Sequence, residues 1–513
     1  MKTTLLFGLL ALLLTASTPA ATLYVDAAST NPMPPYTNWL TAAAVIQDAV
    51  DAAQAGDEVV VTNGIYATGG RALVSYPLMT NRVYVARAIT LRSVNGPEVT
   101  VIQGFQVPGT TNGNGAIRCV YQVDGATLSG FTLSNGGTRT NGVIDFDRSG
   151  GGVLQQVYAV VTNCVIRGNS AFTYAGGVDF GVIKNCTIIS NTAFYGGGGT
   201  YGGDISNCRF VGNWAFREGG ATWFGTIKNS LLVSNSSGWE GGAAYQGTLS
   251  NCCLIGNMAT TNAGLGNSAG GGAHYADLVN CTVVGNSAVY GGGVMGSRLR
   301  NCIVCYNGGG GNHFWSAFTN CCTSPTPDTG INNTVLEPLF VDSQTSNFRL
   351  QTGSPCINTG SSAYATSATD ADGRPRIVGT KVDMGAYEYQ GAGMNEFIAW
   401  LAQFALPTGG SADYLDTDGD GANNWQEYRC ATDPTNALSA LRLRAPVRAG
   451  TNVTVRWPSV TNRSYFLEYS TNLTATPRFR PLATNIVGLA GTTSFTHTNA
   501  TAAPFRSYRV GVP

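Results

Sequence analysis

One motif returns along the middle of this 513-residue chain at a nearly fixed interval: Asn, Cys, three largely apolar residues, a small residue, Asn. It is seen first as Asn163-Cys164-Val165-Ile166-Arg167-Gly168-Asn169. Further copies start at Asn185, Asn207, Asn229 (with Ser230 in place of Cys) and Asn251, each 22 residues after the last by subtraction. Copies at Asn280, Asn301 and a degenerate one at Asn320 follow at gaps of 29, 21 and 19. A period of this size without a helical pattern means one strand-and-turn unit per repeat, stacked into a solenoid. The expected fold is therefore all-β, a right-handed parallel β-helix in which each period is one coil of two or three short strands. The regular coils are placed at about residues 141–322.

Alternate residues of a strand face one side, which sorts the motif into columns. The second position (Cys164, Cys186, Cys208, Ser230, Cys252, Cys281, Cys302) and the fourth (Ile166, Ile188, Phe210, Leu232, Leu254, Val283, Val304) are expected inside. The Cys column reads as a buried ladder of small apolar side chains. A disulfide set between coils about 4.8 Å apart is the alternative; a zinc site lacks the usual Cys or His pairs. The Asn that ends each motif can form an amide ladder along the axis and tolerates a left-handed corner. Gly-Gly pairs between the motifs, such as Gly176-Gly177 and Gly198-Gly199, are expected at corners that need φ > 0.

Residues 1–20 read as a signal peptide. Lys2 gives the positive start, Leu5 to Leu14 a short apolar run, and Thr18-Pro19-Ala20 a small-residue cleavage site. A secreted or cell-surface location follows, with no transmembrane segment and with a monomer expected. Residues 41–54, with Val45, Ile46, Ala49, Val50 and Ala53 on one helical face, are placed as the helix capping the open first coil. The solenoid is assigned residues 21–390. Charged residues are only 11% and the net charge is zero, which excludes the basic footprint a nucleic-acid partner requires.

Tyr24-Val25-Asp26, Ile46-Gln47-Asp48-Ala49-Val50 and Gly56-Asp57-Glu58-Val59 resemble the first strand and cap of the pectin-lyase-like β-helices. The Gly-Gly and Asn corners also resemble polymorphic outer-membrane protein repeats. Within residues 335–390, Gly353-Ser354-Pro355-Cys356-Ile357-Asn358, Asp372-Gly373-Arg374-Pro375-Arg376 and Val382-Asp383-Met384-Gly385-Ala386-Tyr387-Glu388 resemble the choice-of-anchor Q domain found at the end of such helices in bacterial surface proteins.

Residues 391–438 form a linker with a helix from Glu396 to Leu406 and then an acidic loop, Asp416 to Glu427. Counting from Asp416, oxygen ligands fall at Asp416, Asp418, Asp420, Ala422 (its carbonyl), Asn424 (through water) and Glu427, with Gly421 at the sharp turn. That spacing is the one a Ca2+ loop uses, because a hard cation takes six or more oxygens. The loop resembles those of dockerins and thrombospondin type 3 repeats, and its single copy points to a structural Ca2+. Residues 439–513 alternate with period two and are expected to form a β-sandwich resembling a fibronectin type III module.

Carboxylates on the coils are sparse: Asp145, Asp147, Asp179, Asp204, Glu218, Glu240 and Asp277. Glu218 and Glu240 share a coil position and are read mainly as solvated corner residues. Aligning the coils gives one column of Asp179, Tyr201, Trp223, Tyr245 and His274, and a second of Tyr195, Arg217, Trp239 and Tyr290. Aromatic rings in such rows offer flat apolar surfaces to sugars; a buried aromatic stack is the alternative. The leading expectation is a surface protein that binds a polysaccharide or cell-surface component, with no obvious catalytic centre. Two others stand beside it: a Ca2+-dependent polysaccharide lyase built, for example, on Asp179, Asp204 and Lys184, and a purely structural envelope protein.

Overall fold

In a computed structural model of the protein, the described residues are 20–73, 78–261, 264–391, 393–407, 412, 415–472, 479–500 and 506–512. The signal peptide at 1–20 lies outside them except for Ala20. The chain divides into two compact units, residues 1–339 with 353–388, and residues 340–352 with 389–513.

The first unit is a parallel β-helix. A regular coil carries four short strands rather than two or three: Val160–Thr162, Val165–Arg167, Ser170–Ala171 and Val178–Asp179. The next strand, Val182–Lys184, lies in register beside Val160–Thr162. Stacking these coils builds four sheets. Sheet 1 has thirteen strands, from Thr22–Val25 to Gly330–Ile331, and sheet 2 has eleven, from Gly64–Tyr66 to Cys322–Thr323. Sheet 3 has seven two-residue strands, from Ser170–Ala171 to Gly308–Gly309. Sheet 4 has eleven, from the antiparallel edge strand Arg71–Ala72 to His313–Phe314. The inward columns are the expected ones. Cys164 to Cys302 and Ile166 to Val304 are buried, joined on sheet 1 by Leu128, Val161, Ile183, Ile205, Ile227, Leu249, Leu278 and Leu299.

Helix α1 (Ile46–Ala52) closes the first coils, with Ile46, Ala49, Val50 and Ala53 in the same core. It is shorter than the sequence pattern because Ala43 forms a parallel bridge with Val25 before the helix begins. A single helical turn, α2 (Ile144–Asp147), interrupts the coils ahead of the first full repeat.

Among the described residues no disulfide joins any of the thirteen Cys. Each column thiol donates to the carbonyl two residues earlier, as Cys208 Sγ does to Ser206 O at 3.2 Å. Its sulfur accepts a backbone N–H from the preceding coil, as Cys208 does from Cys186 N at 3.5 Å. Ser230 does the same with oxygen, donating to Lys228 O at 2.7 Å and accepting from Cys208 N at 3.1 Å. The column therefore satisfies inward N–H groups such as those of Phe131, Cys186, Cys208, Cys281 and Cys302. Cys208→Ser should leave stability within about 1 kcal/mol, whereas Cys208→Ala orphans the Cys186 N–H and should cost about 1–3 kcal/mol. Denaturant midpoints of the two variants measure the difference.

The two Asn of the motif divide the duties expected of one. The leading Asn residues, Asn163 to Asn320, hold the left-handed corner, with φ of 48–54°. The closing ones form a buried amide ladder, Asn169–Asn191–Asn213–Asn235–Asn257–Asn286–Asn307, whose side-chain bonds measure 2.8–3.0 Å. The Gly-Gly pairs also depart from expectation. In the pairs Gly176-Gly177, Gly198-Gly199, Gly219-Gly220, Gly241-Gly242, Gly271-Gly272 and Gly292-Gly293, only Gly219 (φ 66°) and Gly241 (φ 63°) are left-handed. The others are needed for close approach of neighbouring coils: a Cβ on Gly176 would sit 2.3 Å from Thr192 O and 2.6 Å from Gly198 O.

Residues 353–388 run along the flank of the last coils and bury their corner amides. Asn251, Asn280 and Asn301 donate to the carbonyls of Thr369, Tyr364 and Ser361. Buried Arg376 ties the segment's own turns together by donating to the carbonyls of Asp383, Gly385 and Ala386. Residues 340–352, read from the sequence as part of the same terminal stretch, instead form the hairpin Phe340–Asp342 with Asn347–Leu350 and cluster with the second unit.

The second unit also holds α3 (Gly393–Gln403) and α4 (Asn424–Cys430) and two three-stranded antiparallel sheets. Val455, Trp457, Tyr465 and Leu467 fill the space between the sheets. Two strands, Val447–Ala449 and Arg480–Val487, lie at the edges of these sheets.

Candidate functional site

Sheet 4 and the corner before it carry the aromatic columns. Strand register places Asp179, Tyr201, Trp223, Tyr245 and His274 at one position on successive coils, as the sequence alignment gave. The column runs on through Met295 to Phe314. Its rings neither join the core nor stand free. Tyr201, Trp223 and Tyr245 are half-buried and meet edge to face at 5.5–5.7 Å. His274 is buried and lies 5.6 Å from Tyr245. Tyr174 joins from the neighbouring corner, stacked on Tyr201 at 4.6 Å. Trp223 lies across Gly196, where a Cβ would approach its ring to 2.0 Å.

In the second column, the Arg217 guanidinium sits between the rings of Tyr195 (5.7 Å) and Trp239 (5.4 Å), an arrangement that is attractive through the ring quadrupoles. Tyr290 does not belong to it. Bridges run Gly196–Glu218–Glu240–Ala269–Tyr290, which puts Tyr290 in the glutamate column. The cause is a one-residue deletion. Ser236 and Tyr245 are nine positions apart, but their register equivalents Ser287 and Met295 are only eight apart. Tyr290 is exposed at the edge of the face, 5.4 Å from Phe314.

The glutamates also differ from expectation. Glu218 is only 5% exposed, covered by the Arg217 sandwich and the aromatic cluster, not solvated. Its Oε1 lies 3.4 Å from Arg217 Nη2. Burial pushes its carboxyl up to about 7, with the neighbouring Glu240 charge adding to the rise and Arg217 opposing it. Glu240 Oε2 lies 3.2 Å from His274 Nδ1. Burial likewise holds the Asp179 carboxyl well above the usual carboxylate range, against the pull of Arg118. Among the described residues, several buried polar atoms on this face have no protein partner: Asp179 Oδ1, Glu218 Oε2, Trp223 Nε1 and His274 Nε2. Most buried polar groups in folded proteins are paired, so these four atoms are exceptions to that pattern. The lyase set does not converge. Asp204 and Lys184 are exposed on sheet 1, whereas Asp179 is buried on sheet 4.

The sequence reading missed a third row, one residue after the first: Phe180, Gly202, Phe224, Gln246, Tyr275, Gly296 and Trp315. Phe180, Phe224, Tyr275 and Trp315 have φ of 49–62° and are 39–77% exposed. A bulky residue in the left-handed region is strained by roughly 1–3 kcal/mol, and such strain gathers at functional sites. The available signal was an aromatic residue on alternate coils at the corner where the coils between have Gly202, Gln246 and Gly296.

In the second unit, Asp416, Asp418 and Asp420 bring carboxylate oxygens within 4.8 Å of one another. Gly421 takes φ 94° at the turn, and Ala422 N donates to Asp420 Oδ1 at 2.6 Å. Glu427 is fully buried in α4 with its carboxyl pushed up to about 7 by burial and then by the charges of Asp418 and Asp420. Asp418 Oδ2, Asp420 Oδ2 and Glu427 Oε2 are buried without a partner. These oxygens fit a hard cation. Asn424 is held at the start of α4. Its side chain accepts from Thr417 Oγ1 at 2.9 Å and donates to Ala412 O at 2.7 Å, anchoring the helix start.

No family model and no curated protein sequence matches the chain. Solved structures with a similar coil architecture include a rhamnogalacturonan lyase, 14% identical over 66% of this chain and 96% of that one, with a TM-score of 0.35. Others are a mannuronic acid-specific family 6 polysaccharide lyase from human gut microbiota (10%, 55% and 74%, TM-score 0.25) and the A-module of the Azotobacter vinelandii mannuronan C-5 epimerase (16%, 57% and 95%, TM-score 0.24). The likeness concerns the parallel β-helix alone. Among the described residues, no helix is long and apolar enough to cross a membrane.

Proposed function

We propose that this is an extracellular β-helix protein that binds a polysaccharide along sheet 4, with a Ca2+ ion bracing the loop of its second unit. The observation that supports it most is the band of half-exposed and exposed aromatic rings over consecutive coils, interleaved with buried polar atoms that lack protein partners. Sugars present both apolar faces and hydroxyl edges, and a surface of this mixed kind meets both. Asp416, Asp418, Asp420 and Glu427 would supply the charged Ca2+ ligands and Ala422 a carbonyl; the ion there would hold the loop against the start of α4.

The test is affinity electrophoresis of the purified protein through gels containing neutral and acidic polysaccharides. At least one should retard it. The double variant Trp223→Ala, Trp239→Ala should weaken that retardation about tenfold or more, since each aromatic contact is worth about 1 kcal/mol beyond its buried area. Circular dichroism checks that the coils persist. Equal retardation of parent and variant on a polysaccharide that binds the parent would remove these rings from the surface.

A further inference from the structure

Glu218 and Glu240 hold the same position on adjacent coils and are joined by a parallel bridge. Side chains so placed leave the sheet on one side about 4.8 Å apart. From that backbone spacing the two carboxyl groups can reach the roughly 5–5.5 Å that separates those of a retaining glycosidase. Such enzymes need the two carboxyls in different protonation states, and that difference is set by surroundings. Here the surroundings differ. The Glu218 side chain is 7% exposed and has an unpartnered Oε2, with Tyr174, Tyr245 and Arg217 around it. The Glu240 side chain is 16% exposed and its Oε2 lies 3.2 Å from His274 Nδ1, a buried ring nitrogen that makes no hydrogen bond. Burial favours the protonated form of Glu218 up to about pH 7. The pair lies beside the ring cluster of Tyr174, Tyr201, Trp223 and Tyr245, where a sugar chain on sheet 4 would pass.

We propose that Glu218 and Glu240 are the general acid and the nucleophile of a retaining glycoside hydrolase acting on the polysaccharide bound there. This rests on the glycan-binding reading of sheet 4. In the first step a Glu240 carboxylate oxygen bonds to the anomeric carbon. The bond from that carbon to the glycosidic oxygen breaks, and the Glu218 proton passes to the departing oxygen. In the second step water gives its proton to Glu218 and its oxygen attacks the same carbon. The ester to Glu240 breaks, both glutamates return to their first state, and the anomeric configuration is retained.

The experiment uses the polysaccharide that retards the parent protein in the gel assay. Parent, Glu218→Gln and Glu240→Gln are incubated with it, and new reducing ends are counted, with proton NMR following the anomeric signal first released. Three results are expected together. The parent releases reducing ends with retained configuration. Each isosteric variant loses about 100-fold or more of that rate while still being retarded by the polysaccharide. The parent's rate falls as pH rises through about 7, where Glu218 loses its proton. Undiminished hydrolysis by either variant, inverted product, or unsaturated ends in place of hydrolysis would overturn the assignment. A parent that is retarded but releases nothing overturns the hydrolase and leaves the binding face standing; a parent that no polysaccharide retards overturns the binding face, and the hydrolase with it.

Discussion

Asn213→Ala should destabilise the coils by roughly 3–6 kcal/mol, although it removes only a small polar side chain. Asn213 donates to Ile188 O at 2.8 Å and to Asn235 Oδ1 at 2.9 Å, and its own Oδ1 accepts from Asn191 N and Asn191 Nδ2, both at 3.0 Å. Alanine leaves the Ile188 carbonyl, the Asn191 N–H and one Asn191 amide hydrogen buried without partners, and each costs about 1–3 kcal/mol. Six residues earlier, Asn207 is exposed, takes φ 54°, and makes one long side-chain bond of 3.3 Å to Asn185. Asn207→Gly should therefore change stability by less than about 1 kcal/mol, because Gly accepts the left-handed corner without strain. A solenoid transmits such damage chiefly to neighbouring coils. Hydrogen exchange should show lost protection around residues 187–215 and little change near residues 90–130. Equal effects of the two substitutions would mean that the two Asn columns are not distinct.

That distinction shows where sequence reading stops. The period was legible because each coil repeats the same inward side chains, and a column of Cys, Ile and Asn survives insertions such as the 29-residue gap. Which Asn turns the corner and which joins the ladder depends on backbone angles that the residue name does not carry. The Gly-Gly pairs are a similar case. Gly serves left-handed turns and close backbone contact equally well, and only the distance from Gly176 to Thr192 O decides between them. Tyr290 was misplaced because counting from the motif cannot see a residue deleted at a corner beyond it.

The candidate site was legible by half. Tyr201, Trp223, Tyr245 and His274 could be aligned because they stand on strands whose register follows the period. The burial of Glu218 could not, since it arises laterally. Arg217 lies between two rings from adjacent coils, and Trp223 reaches over Gly196 on the preceding one. The same lateral packing turns two sparse, unremarkable glutamates into a pair with unlike surroundings. The flank formed by residues 353–388 was likewise hidden, because its bonds to Asn251, Asn280 and Asn301 span 60–118 positions.

Removing Ca2+ should lower the melting temperature of the second unit by on the order of 10–20 °C while leaving the transition of the coils in place. A ligand present at about a thousand times its Kd stabilises the folded state by about 4 kcal/mol, and in a unit of this size that moves the midpoint by several degrees per kcal/mol. The expectation follows from charge. Asp416, Asp418 and Asp420 converge within 4.8 Å, and buried Glu427 faces the charges of all three. Without a cation this arrangement concentrates negative charge beside a buried carboxylate, which opposes folding. Glu427→Gln separates the two effects. It removes the buried charge while keeping the shape, so the variant should be more stable than the parent in chelator and should lose most of the gain on adding Ca2+. Scanning calorimetry of the full chain, with chelator and with excess Ca2+, reads both transitions at once. A second-unit transition that ignores chelator in the parent would remove Ca2+ from the loop, and the four carboxylates would then need another counter-charge.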